Sequence, residues 1–266
     1  MKKVLLNGEW ATVPTEKLQI GTSSFGFKSG LYETLRTLDY SPVFLSAHLE
    51  RLFASAKKIG LEIEHTQQDL IKMITRTIQT LDDPNQRVRI LATPKNLIIY
   101  TSKLNLNMSI YGGVSVRTVL AKRRSPDIKT TDYGTCLSAW KRAQEQSCFE
   151  AVLVNKKGDV FEGSRSNIFW VRDGKVVTRE KEVLPGVTRK ILLTKSPFSI
   201  NFGKLNRSDF RKTDELFITN SGSGIVPVTR LNDKKVGSGE VGKTTNKLLG
   251  LYDKWISQDV GRFYEI

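Results

Sequence analysis

Apolar and polar positions alternate along this chain in short runs, broken by a few stretches of helical period. Residues 4–6 and 10–13 flank Asn7-Gly8, whose preference for positive φ makes the whole a tight hairpin. Residues 25–30 form a glycine-punctuated loop, and residues 31–36 alternate as a strand whose pattern carries across the 39–42 turn into residues 43–45. Ser46 then serves as the N-cap of a helix with Leu49, Leu52, Phe53, Ala56 and Ile59 on one face, closed by Gly60. A second helix is expected from residue 66 to about 81, with Leu70, Met73, Ile74 and Ile78 apolar. Strands at 87–91, 97–101 and 108–120 would complete a smaller N-terminal α/β domain, residues 1–120. The polar, Pro-containing residues 121–127 read as a linker, and residues 128–266 as a larger domain.

The larger domain opens on a helix, with Tyr133, Cys136, Leu137, Trp140 and Ala143 at helical spacing. A buried strand (151–154), a turn (155–158), a returning strand (160–161) and a third strand (168–171) follow. Residues 172–175 signal another hairpin, with 176–178 as its second strand. Residues 184–189 make a turn that opens a helix running to about 195. A strand at 214–219, a small-residue loop at 220–224 and an apolar stretch at 225–228 precede a terminal helix. That helix spans about 243–256 and packs through Leu248, Leu249, Tyr252, Trp255 and Ile256. Alternating strands and helices over this length imply an α/β (α+β) chain of two domains with mixed sheets.

Charge changes this picture little. The 266 residues carry 42 Lys and Arg against 27 Asp and Glu, a net +15, which would suit nucleic acid, an anionic membrane or small anionic ligands. The basic residues are scattered, Lys122-Arg123-Arg124 being the one tight cluster, and no zinc-finger, RNP or basic-zipper pattern occurs. A nucleic-acid partner is therefore the remote alternative. Cys136 and Cys148 are too few and too close for a disulfide framework, which fits a reducing cytoplasm. The apolar run near the N-terminus is too short for a signal peptide and no long apolar span follows, so neither membrane insertion nor export is expected.

Several motifs occur together: YETLR at residues 32–36, HLERL at 48–52, Lys129 ahead of a helix, EGSRSN at 162–167, LPGVTR at 184–189 and TNS at 219–221. In their order and contexts they resemble the pyridoxal-phosphate enzymes of fold type IV, which include D-amino-acid and branched-chain aminotransferases and 4-amino-4-deoxychorismate lyase. The resemblance implies that Lys129 forms the Schiff base with pyridoxal 5'-phosphate and that Glu162 faces the pyridine nitrogen. It gives the cofactor phosphate to Arg51, to the backbone at Val187 and Thr188, to the Thr188 hydroxyl and to Ser221. Leu184 would pack on the ring and Tyr133 would hydrogen-bond the ring hydroxyl. Tyr32 and Arg89 are the candidates for substrate binding.

Chemistry agrees with these roles. A lysine attacks a carbonyl only as the neutral amine. A carboxylate at the ring nitrogen keeps that nitrogen protonated, and a helix N-terminus offers free N–H groups to a phosphate. The chain departs from the family at Lys28-Ser29-Gly30, where Gly-Asp-Gly is common, and at Pro94-Lys95, near which an Arg-Gly pair is common. The short chain, the YETLR strand and the TNS and IVPVT stretches resemble lyase members most. The expected activity is thus pyruvate elimination giving 4-aminobenzoate, with a class IV aminotransferase as the alternative. The resemblance also implies a homodimer acting on a small anionic amino substrate.

Overall fold

A computed structural model describes residues 1–263, with side chains to residue 261. The chain divides into two compact units, each with its own sheet. The first comprises Met1–Asn105, Ile128–Gly134 and the residues from Ile256 onward, and the second Leu106–Asp127 and Thr135–Trp255.

The first unit is a six-stranded sheet in the order β2-β1-β6-β5-β3-β4. Its strands are β1 (Lys2–Leu6), β2 (Glu9–Val13), β3 (Leu31–Leu38), β4 (Ser41–Pro42), β5 (Gln86–Thr93) and β6 (Asn96–Lys103). Asn7 and Gly8 take the positive φ angles of 49° and 89° that the tight hairpin requires. Two helices, α1 (Leu45–Ile59) and α2 (Gln67–Ile78), belong to this unit. Leu31, Leu35, Val88, Ile90 and Ile99 from the sheet form one core with Leu49, Leu52, Leu70, Ile74 and Ile78 from the helices. Thr66 caps α2 in a reciprocal box with Asp69.

The strand expected at residues 43–45 and the Ser46 cap are corrected. Phe44 turns left-handed at φ 52° and is itself the N-cap, so α1 begins at Leu45. The Phe44 N–H donates to the Asp259 carboxylate of the C-terminal helix. Among the described residues no side-chain hydrogen bond caps the helix, and the start set by the Phe44 turn is not revealed by periodicity around Ser46.

One charged cluster lies inside this core. Glu33 shares its sheet row with Ile90 and Ile99 on the side that α1 covers. Its Oε1 accepts Arg51 Nε and its Oε2 accepts Arg51 Nη2, both at 2.7 Å, and His48 Nδ1 lies 2.7 Å from Oε2. Burial by itself would raise the Glu33 carboxyl, but the Arg51 guanidinium and the His48 imidazole outweigh it and hold the group well below the carboxylate range. Burial lowers His48, so the neutral ring donates Nδ1–H to Glu33.

The second unit is a ten-stranded sheet in the order β12-β11-β10-β14-β15-β7-β8-β9-β13, with β16 beside β15. Its strands are β7 (Val114–Leu120), β8 (Glu150–Val154), β9 (Asp159–Gly163), β10 (Asn167–Arg172), β11 (Lys175–Thr178), β12 (Ile200–Phe202), β13 (Leu205–Asn206), β14 (Glu215–Asn220), β15 (Gly224–Leu231) and β16 (Lys234–Lys235). Its helices are α4 (Val187–Lys195), most of α3 (Gly134–Gln144) and the larger part of α5 (Lys243–Phe263). Val116, Val152, Ile168, Leu216, Ile218 and Val226 form the core on one face. On the other face Phe169 and Phe217, directly opposed on β10 and β14, stack at 4.9 Å.

The division departs from the expected boundaries at residues 105–134. Residues 108–120 are a helical turn (Met108–Gly112) and β7, which pairs in parallel with β8 and β15 rather than joining the first sheet. Hydrophobic alternation marks a strand without naming its partner. Residues 121–127 belong to the second unit, and Lys129 to the first rather than to the second that it was expected to open.

Two outcomes follow from the first unit. The Glu33 contribution is present above its ordinary pKa of 4.5 and is lost as pH falls below that value. Denaturant unfolding should therefore show stability falling from pH 5 to about pH 3, and Glu33→Gln, at a cost of about 3 kcal/mol at pH 7, should flatten that fall. A Cβ on Gly30 would sit 2.2 Å from the Ala92 carbonyl oxygen, so Gly30→Ala should destabilise by about 1–3 kcal/mol in the same measurement.

Candidate active site

The resemblance places candidate residues in both units. In the first unit, residues 128–131 run back along the start of β3. Lys129 O accepts Tyr32 N–H at 3.0 Å, Thr131 N–H donates to Gly30 O at 2.8 Å, and Gly30 N–H donates to Thr131 Oγ1 at 2.9 Å. Ile128 anchors the segment in the helix-covered core. The next side chain, Lys129, is half-buried with Nζ 4.4 Å from the centroid of the Tyr32 ring. The Arg89 guanidinium lies 5.3 Å from the same centroid. Tyr133 packs edge-on against Tyr32 at 6.0 Å and precedes α3 rather than riding on its face. Gly21 is required beside it, because a Cβ there would come within 2.9 Å of the Tyr133 carbonyl carbon.

Lys129, Tyr32, Arg89 and Tyr133 are thus brought together. Arg89 has a buried Nε with no hydrogen-bond partner among the described residues, which makes it suited to an anion. Arg51 is held on α1 by Glu33 as described above.

In the second unit Glu162 owes its direction to an irregularity. Val154 pairs with Val160 but Val152 pairs with Gly163, so β9 carries one extra residue against β8. Such a bulge re-aims side chains, and it turns Phe161 and Glu162 together away from the Val152 and Val160 core. Glu162 Oε1 accepts Arg123 Nε at 2.9 Å and Oε2 accepts Leu184 N–H at 3.0 Å. On the far side of that residue the Leu184 carbonyl accepts Asn167 Nδ2 at 2.8 Å. Leu184 is therefore gripped through both its backbone groups.

Two residues later Gly186 is the N-cap of α4, and no described side chain caps the helix. A Cβ on Gly186 would lie 2.1 Å from Asn167 Oδ1, so only glycine fits there. The first-turn amides of α4, at Val187 and Thr188, have no intrahelical acceptor and carry the positive end of the helix dipole. Thr188 is buried and its Oγ1 lies 3.2 Å from Tyr252 Oη.

Glu162, Leu184, Val187 and Thr188 thus form one connected group. Ser221 sits half-buried in the turn between β14 and β15. Asn220 Oδ1 accepts the N–H groups of Gly222 and Ser223 at 2.9 and 2.8 Å, so these two amides are bonded within the turn rather than open to an anion.

Sequence reading missed three residues of this group. Arg123 stood in the expected linker, where a basic cluster reads as solvated. It is buried beside Glu162. Asn167 ends the EGSRSN stretch and was in view, yet its bond to Leu184 joins positions far apart in the chain. Glu150 is almost fully buried, accepts Arg165 N–H and the Ser166 hydroxyl at 3.2 and 3.1 Å, and bonds the Ser164 hydroxyl, fixing the turn after Glu162.

Comparison with known proteins gives these arrangements a context. A probable branched-chain-amino-acid aminotransferase of Aquifex aeolicus is 25% identical over 99% of this chain and 95% of its own length. A D-alanine aminotransferase of Staphylococcus epidermidis is 24% identical over 96% of this chain and 98% of its own. The fold is that of a T.th. branched-chain amino acid aminotransferase solved with pyridoxamine 5'-phosphate, with a TM-score of 0.82 at 21% identity, covering 98% of this chain and 95% of that one. The family model of amino-transferase class IV matches residues 30–231, and the chain belongs to that family of fold type IV, pyridoxal-phosphate-dependent enzymes.

Proposed function

We propose that this enzyme is a transaminase acting on a small amino acid of the D-alanine or branched-chain kind. The observation that carries the reading is the sharing of the Tyr32 ring by Lys129 and Arg89, at 4.4 and 5.3 Å. An α-amino acid has its amine and carboxylate on one carbon. A lysine and an arginine on one ring can address both. The matched relatives, named as aminotransferases along nearly their whole length, support transfer over elimination, so the lyase expectation has the weaker support.

The residues fit pyridoxal phosphate. The uncapped first turn of α4 suits its phosphate, Glu162 a protonated ring nitrogen, and the Lys129 amine a covalent bond to its carbonyl. When bound, the cofactor supplies an electron sink for the α-carbon of the substrate.

The chain supplies everything else. Val187 and Thr188 would offer backbone N–H groups to the phosphate and Thr188 its hydroxyl, and by resemblance Arg51 and Ser221 would be further phosphate donors. Arg51 arrives with its guanidinium plane fixed by Glu33. Glu162 would hold a proton on the ring nitrogen, its carboxylate oriented by Arg123. By resemblance Leu184 would contact the ring and Tyr133 would donate to its hydroxyl. Lys129 Nζ would take the α-proton of the substrate as general base. Arg89 and Tyr32 orient the substrate carboxylate. Such a substrate is a small anionic amino acid, and by resemblance two copies of the chain would act together.

The visible spectrum of the purified protein, read before and after adding D-alanine or L-leucine, tests this. A yellow protein bleached by one of them with release of its keto acid is expected, and Lys129→Ala should lose the covalently held chromophore. A yellow protein indifferent to simple amino acids would overturn transamination and return attention to aminodeoxychorismate. Arg123→Met would leave Glu162 buried without its cation. It should cost about 3–5 kcal/mol in denaturant unfolding of the cofactor-free chain, with Arg123→Lys losing less.

A further inference from the structure

Thr219 is buried, 2% exposed, and its Oγ1 has no hydrogen-bond partner among the described residues. Buried hydroxyls are nearly always paired, because one left unpaired keeps the full loss of its water contacts. Its neighbours indicate what the partner would be. Thr219 stands directly opposite Asn167 across the β10–β14 ladder, and directly opposed residues project from the same face of a sheet. Asn167 is the side chain that binds Leu184 O and presses on Gly186 at the start of α4. An orphaned hydroxyl and the open amides of a nine-residue helix thus converge on one place.

We infer that Thr219 donates its hydroxyl to the anion held at the N-terminus of α4, adding a phosphate donor beyond those the sequence motifs supply. The inference rests on the cofactor assignment for the identity of the anion, though not for its charge or place. A phosphate oxygen can only accept, and the Thr219 hydroxyl, which no described acceptor engages, is able to donate. The neighbouring turn contributes less than its small residues suggest, since Asn220 already takes two of its amides.

The test titrates the full-length cofactor-free chain, wild type and variants, with pyridoxal phosphate, with pyridoxal and with inorganic phosphate, and records melting temperatures without ligand. Thr219→Val keeps the shape and removes only the hydroxyl. It should melt no lower than wild type, because a hydroxyl without a protein partner is lost at no cost to the free chain. It should bind pyridoxal phosphate and inorganic phosphate about tenfold more weakly, and pyridoxal as before. Thr219→Ser, which keeps a donor, should stay close to wild type.

A Val variant that binds both phosphorylated ligands like wild type would overturn the inference. So would equal weakening toward pyridoxal, or a Val variant that melts well below wild type while Thr219→Ser does not, which would reveal a protein partner for the hydroxyl. A wild-type chain that binds inorganic phosphate in a Thr219-dependent way, yet not pyridoxal phosphate, would support the anion site and overturn the cofactor reading.

Discussion

The carboxylate of Glu162 is the contact on which the order of the second unit's candidate site depends. One oxygen is held by a buried guanidinium and the other by the backbone of Leu184, two residues before the helix that offers its amides. A free carboxylate in such a place would be costly to ionise and free to swing; bonded on both oxygens, it is charged and aimed. The same bond sets the start of α4, so the Glu162 carboxylate and the first-turn amides of the helix share a single support. Their spacing is a property of the backbone rather than of flexible side chains.

The first unit solves a related problem with a different device. Its lysine is not on a regular element; it is held by the run-back of residues 128–131 against β3, which bonds through main-chain groups and the Thr131 hydroxyl. Backbone bonds fix the origin of the Lys129 side chain without engaging its amine. Arg51 is treated in the opposite way, locked by a buried carboxylate on its Nε and Nη2.

Much of this was legible in the chain as written. Helical spacing from Cys136 to Ala143, the alternation of residues 31–36 and the Asn7-Gly8 turn are local signals, and the fold type follows from the order of motifs. What could not be read was pairing. Residues 114–120 look like any strand, and only the partners β8 and β15 assign them to the second sheet. Arg123 reads as part of a basic surface until Glu162 is seen beside it, and the Phe44 N–H finds its acceptor in Asp259, 215 positions away. Lys129, Tyr32 and Arg89 were each named, but their shared ring is a tertiary fact. The choice between transfer and elimination lies outside the motifs altogether, because both begin at the same α-proton.

The division of the chain also bears on synthesis. The second unit is closed once Trp255 has been made, whereas the first awaits the residues from Ile256 onward, among them the Asp259 that accepts the Phe44 N–H at the start of the helix bearing Arg51. Domains commonly fold in the order in which the ribosome releases them. Here the unit containing the N-terminus is completed last.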